Sequence, residues 1–188
     1  PESVEDFFAG YNPLVEEIAE YENTISAARS GKTADRLAAI NRLFEKTDPQ
    51  LRYLLADFCS DYIKLDKKNS TGMVGSYVVA LANSNAVQHY LDQDPLAASE
   101  EFATAAKSKF LEPEQKQQCF YTAAYLFASS GTDDAAKVKD YLQKAYDVAP
   151  DSEYAESILS MMRMMEEKYG ESAEPPADAP EAKDSAEN

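Results

Sequence analysis

Tryptophan is absent from the 188 residues, histidine occurs once, cysteine twice and glycine six times. One histidine and two cysteines leave no material for a His-rich or Cys-rich metal site or for a disulfide scaffold. A Ser/His/Asp or Cys/His catalytic site would have to use His89. The glycines are scattered and no G-x-x-x-x-G-K phosphate loop occurs. No Asp/Asn ladder has the spacing of an EF-hand. No apolar run approaches the roughly 20 residues of a membrane-crossing helix. Basic charge is scarce, with Lys+Arg 18 against Asp+Glu 34 and a net charge of −16. That balance argues against phosphate-backbone binding and against adhesion to anionic lipid. No cofactor and no metal are expected. The size suits one domain, large enough to bury a core without a staple.

The chain begins Pro1-Glu2-Ser3 with neither an initiator Met nor the basic-then-apolar order of a signal peptide. Removal of an export signal, or a cut from a longer chain, would account for this. An exported, periplasmic setting is the expectation over a cytoplasmic one. Cys59 and Cys119 lie among apolar neighbours one helical turn away and read as buried, reduced thiols. A disulfide between them and a reactive thiol are the alternatives.

From Gly170 onward no aromatic or large aliphatic residue occurs. Residues 170–188 carry six acids against Lys183, so about −11 of the total charge falls on the body. Such a segment has nothing to bury and is expected to be a disordered acidic tail. Residues 1–169 read as a single all-α domain, because no stretch alternates like a strand. The expected helices are 3–9, 14–30, 33–46, 49–65, 71–92, 95–110, 113–130, 133–149 and 151–169. Asp48-Pro49 and Asp94-Pro95 each put a capping acceptor before a proline at the first helical position, and Glu112-Pro113 marks another start. Gly31 and Gly131 fall where helices turn. Leu14, Ile18, Tyr21 and Ile25 form one apolar face. So do Leu37, Ile40 and Phe44, and Leu51, Leu54, Leu55, Phe58, Tyr62 and Leu65.

Residues 117–151 carry a large-small-small-large pattern. Phe120, Ala123, Ala124 and Phe127 are followed by Gly131, and Val138, Leu142 and Ala145 by Pro150. Small residues let two helices approach while aromatics fill the flanks. The spacing resembles the tetratricopeptide repeat, and Tyr141 to Pro150 resembles the ending of its second helix. Thr132-Asp133-Asp134 adds two residues to the turn, and Val138 replaces the usual Ala. Ala98, Phe102 and Ala105 repeat the second-helix spacing. Tyr62 to Asn69 resembles another such ending, with Lys67 in place of Pro. The resemblance spans 33–169 and is most specific over 95–150. It implies antiparallel hairpins stacked as a short right-handed α-solenoid, with 151–169 as a capping helix. A plain all-α bundle is the alternative. In the cap, Tyr154, Ile158, Met161, Met162 and Met165 form one stripe with Leu159 beside it.

Stacked hairpins leave one flank of each first helix facing a shared hollow. In that register Gln118, Tyr121 and Tyr125 would line it, with Asn83, Val87 and Tyr90 on the neighbouring wall. Packing between helices is the alternative for Tyr121 and Tyr125. The Lys/Asn clamp by which some members of the family hold a peptide carboxylate has no counterpart at these positions. His89 stands near a helix end, where it can serve the dipole or a local hydrogen bond. Glu16-Glu17, Glu100-Glu101 and Glu166-Glu167 are pairs expected on solvated faces.

The functional expectation is a non-catalytic module that binds a protein or peptide, neutral or basic, in a groove. It would bind no nucleic acid and enter no membrane. The alternatives are a helical accessory region of a bacterial envelope or thioredoxin-associated protein, and an enzyme using buried carboxylates.

Overall fold

The computed structural model describes residues 4–170, and side chains over residues 13–167. These residues form helices α1 (Val4–Arg29), α2 (Thr33–Lys46), a 3-10 segment (Pro49–Leu55), α3 (Ala56–Leu65), α4 (Val74–Leu91), α5 (Pro95–Ala105), α6 (Pro113–Ser129), α7 (Ala135–Val148) and α8 (Ala155–Gly170). Among the described residues there is no strand. The acidic segment expected to be disordered lies outside the described residues beyond Gly170, the last residue of α8.

The starts follow from the cap residues. Asp48 accepts from the Gln50 amide at 2.8 Å, Asp94 from that of Ala97 at 3.0 Å, and Asp134 from that of Lys137 at 3.0 Å. Each satisfies a donor with no partner inside its helix. At α6 the Glu112 amide donates to the Gln115 side chain at 3.1 Å. Gly31 and Gly131 turn the chain at φ values of +110° and +77°, where a Cβ is strained.

Five helix boundaries differ from the sequence expectation by three residues or more, and each has a local cause. Residues 3–9 and 14–30 belong to one helix, with Pro13 exposed in its interior. Proline removes one amide there without stopping the helix. The stretch 49–65 divides, because Pro49–Leu55 winds as a 3-10 segment before α3. Helix α4 starts at Val74 because Asp66 gathers the preceding turn. Helix α5 stops at Ala105, where Lys107 and Ser108 donate to Thr104 and Ala105 in tight turns. Helix α8 starts at Ala155 because Ser152 donates to Ala149 and Ala155 to Ser152, making two turns of 151–154.

The helices pack mainly on their neighbours in sequence: α1 on α2, α3 on α4, and α4 through α8 each on the next. Two cores result. The first gathers Ala28, Leu37, Ile40, Leu43, Phe58, Cys59, Tyr62, Val74 and Tyr77. Tyr62 and Tyr77 stack there at 3.8 Å, and Phe44 meets Tyr77 edge-on at 5.0 Å. The second gathers Ala98, Phe102, Ala105, Phe120, Ala123, Ala124, Phe127, Val138, Leu142, Ala145 and Ile158. The large-small-small-large residues of 117–151 therefore share one core with the Ala98/Phe102/Ala105 set. Helix α4 feeds both cores, with Val74 and Tyr77 in the first, Ala82 and Ala86 in the second, and Val78 against each.

Two apolar faces do not go where the periodicity points. Leu14, Ile18 and Ile25 are 50%, 52% and 37% exposed, and α1 instead buries Thr24 and Ala28 toward α2. Leu51 and Leu54 are exposed on the 3-10 segment, because its three-residue turn rotates them off the face continued by Phe58 and Tyr62.

Candidate functional site

Helix α6 presents two faces. Phe120, Ala123, Ala124 and Phe127 enter the core, whereas Gln118 and Tyr125 are exposed and Tyr121 is half-buried. After α7 the chain turns so that the start of α8, which packs on α7, faces α6 across a gap. Between them lies a hollow of about 370 Å³ lined by Gln117, Gln118, Tyr121, Thr122, Tyr154, Ser157 and Ile158. Ile158 is fully buried and forms an apolar floor. The walls carry two phenols, two aliphatic hydroxyls and two amides, and no charged side chain.

Gln117 holds this hollow in shape. It is fully buried, and its amide nitrogen donates to the Ala145 carbonyl at 3.1 Å and the Ala149 carbonyl at 2.8 Å. Its carbonyl oxygen accepts from Ser152 Oγ at 2.5 Å. One side chain thus ties α6 to the end of α7 and to the turn before α8. Ser99 makes the matching link on the other side, donating to the Ala123 carbonyl at 2.8 Å. Among the described residues every buried side-chain nitrogen and oxygen has a hydrogen-bond partner.

The expected groove residues are only partly brought together. Gln118 and Tyr121 line the hollow. Tyr125 stands outside it, 60% exposed. Asn83, Val87 and Tyr90 lie on α4, accessible, and contribute nothing to this lining. Thr122, Tyr154 and Ser157 belong to it and were missed. Tyr154 was expected on the core stripe of the cap. It sits instead in the turn just before α8, 56% exposed, although its carbonyl accepts a helical bond from the Ile158 amide at 3.0 Å. Ile158, Met161, Met162 and Met165 do pack on the second core.

Outside the hollow, Asp66 and Glu100 are engaged by neighbouring side chains. Asp66 is buried, and burial alone would raise its carboxyl. Ser70 donates to it through amide and hydroxyl at 2.7 Å, and Thr71 at 2.9 and 2.6 Å, which holds it well below the usual carboxylate range. A general acid needs the opposite shift. Glu100 accepts from Lys137 Nζ at 2.5 Å and from the Tyr141 hydroxyl at 3.2 Å. The lysine keeps its carboxyl below the ordinary value. His89, near the end of α4, lies 3.5 Å from Glu101. Cys59 and Cys119 are buried, one in each core, and unbridged. Burial pushes their thiols up to about 12 and about 11. Among the described residues no group of three or more His, Cys, Asp or Glu is placed to hold a metal ion, and no helix is long and apolar enough to cross a membrane.

Residues 73–171 match the family described as TP_0391_C, an uncharacterised protein C-terminal domain. The chain belongs to that family. The matched stretch begins beside α4 and takes in α5 to α8, so it contains the second core and the hollow beside α6. A curated protein of Treponema pallidum (strain Nichols), described as an uncharacterized protein, is 31% identical over 88 residues. Those residues are 47% of this chain and 29% of that protein, so the chain spans under a third of the relative's length. No solved structure matches the chain.

Proposed function

We propose that the chain is a non-catalytic helical-repeat module, of tetratricopeptide-like design, that holds an extended peptide segment against α6 and α8. The observation that carries this reading is the uncharged hollow between those helices, with phenols and amides around an apolar floor. Tyrosine offers rigid apolar area with a polar tip, and the exposed Gln118 amide can meet both donors and acceptors of a peptide backbone. The sequential packing of α4 to α8 is what a stack of hairpins requires, and it supports the reading. A net charge of −16 favours a neutral or basic segment, while the lining itself adds no charge preference.

The test is selection from a displayed library of random peptides, followed by affinity measurement on variants. Neutral or basic sequences are the expected binders. Tyr121→Ala with Tyr125→Ala should weaken them by about tenfold or more, with the thermal midpoint moving by a few degrees. Tyr154→Ala, at an exposed position, should weaken them with no loss of stability. Undiminished binding in both variants refutes the reading.

A second reading has one observation in its favour. The relative is a bacterial protein more than three times the length of the match. On this reading the segment is a helical accessory region of a larger envelope or thioredoxin-associated protein. A neighbouring Cys-x-x-Cys domain in the full gene supports this, and a gene without one removes it.

A further inference from the structure

Helix α1 outruns the helix it packs on. Lys46, the last residue of α2, pairs with Glu20, so residues 4–19 extend past the end of α2. At helical rise this overhang is about 24 Å long. Its described apolar side chains, Leu14, Val15 and Ile18, are each about half exposed. They are not scattered. Val4, Phe7, Tyr11, Leu14, Ile18, Tyr21 and Ile25 are spaced alternately by three and four, the seam that a second helix fills. Ala28 continues the series and is fully buried in the first core. The seam that is closed at Ala28 is thus open at Ile18 and Leu14.

The charge beside the seam decides its occupant. Residues 13–28 hold Glu16, Glu17, Glu20 and Glu22 and no base; the first is Arg29. Glu17 and Glu22 take the two positions that flank a seam of this register, and Glu20 is already engaged by Lys46. A second copy would bring the same two glutamates and the same net charge to the contact. Lysine or arginine beside an apolar stripe would meet them with opposite sign. We propose that the free face of α1 docks an amphipathic basic helix of a partner protein. This site is separate from the hollow at α6 and α8, and stands or falls without it.

The probe is a labelled four-heptad peptide with Leu at both seam positions and Lys at both flanking positions. Its repulsive flanks keep it from pairing with itself. A control peptide carries Glu at the flanks. Anisotropy with the full chain should show the Lys peptide binding at least about tenfold more tightly than the Glu peptide, with the gap narrowing as salt rises. Leu14→Lys with Ile18→Lys should abolish binding. Both side chains are half in water, so the thermal midpoint should hold. Glu17→Lys with Glu22→Lys should turn the preference toward the Glu peptide. Equal affinity for the two peptides, or no binding of either, overturns the proposal. So does sedimentation showing that the chain alone dimerises and that Leu14→Lys/Ile18→Lys abolishes the dimer, which would give the face to a second copy.

Discussion

Gly75→Ala tests how closely α4 approaches the α5–α6 connection. In an exposed helix interior this substitution stabilises by about 1 kcal/mol, because alanine is the better helix former. Here a Cβ on residue 75 would stand 2.4 Å from the Phe110 carbonyl oxygen, where ordinary contact begins near 3.4 Å. The obstructing atom is backbone and cannot rotate aside. Phe110 itself packs against the first core, so pushing its carbonyl away disturbs more than a loop. Overpacking of this kind costs about 1–3 kcal/mol. Taking the upper end, because no side chain can yield, the net loss after the propensity gain is about 2 kcal/mol. For a chain of this size that lowers the thermal midpoint by about 4–8 °C. Urea unfolding followed by circular dichroism measures the free energy directly. A variant as stable as the parent, or more stable, refutes the close approach and the placement of Phe110 with it.

Gln117→Leu removes three hydrogen bonds. The Ala149 amide donates to Tyr146, so the Ala145 carbonyl loses its cap, whereas the Ala149 carbonyl still accepts from Ser152. One buried acceptor left bare and two further bonds lost should cost about 2–4 kcal/mol by urea unfolding. A cost below about 1 kcal/mol would mean that water replaces the amide. Asp66 binds its proton less readily folded than unfolded. Its stabilisation is complete above the unfolded value of about 4 and is lost as pH falls toward the lower folded value. Acid titration of stability should therefore show a shallower acid limb for Asp66→Asn, which also loses stability at neutral pH. Parallel limbs in the two proteins would assign the acid sensitivity elsewhere.

Much of the fold was legible because its punctuation is chemical. Asp48-Pro49, Asp94-Pro95 and Glu112-Pro113 begin elements where a capping acceptor and a fixed φ require it. Ala98, Phe102, Ala105, Phe120, Ala123, Ala124, Phe127 and Ala145 are buried together because close helix approach needs small residues at the crossing. What was missed depends on partners remote in sequence. The apolar periodicity of α1 does not reveal that α2 is too short to cover it. The start of α8 depends on Ser152 finding Gln117, which lies 35 residues away. The site shows the same division. Gln118 and Tyr121 follow from helical register alone. Tyr154 enters the hollow from a turn that periodicity reads as helix, and Thr122 and Ser157 carry no signal until α8 is placed opposite α6. Asn83, Val87 and Tyr90 lie on α4, none of whose residues lines the hollow.

Because α4 serves both cores, its length is constrained in a way its loops are not. Inserting or deleting one residue between Tyr77 and Ala82 would swing the second half of the helix by about 100° against the first. Val74 and Tyr77 would keep their places, while Ala82 and Ala86 turned toward water and bulkier neighbours turned inward. Changes in chain length that persist over evolutionary time should therefore fall outside this 18-residue rod, whose count of residues stays the same.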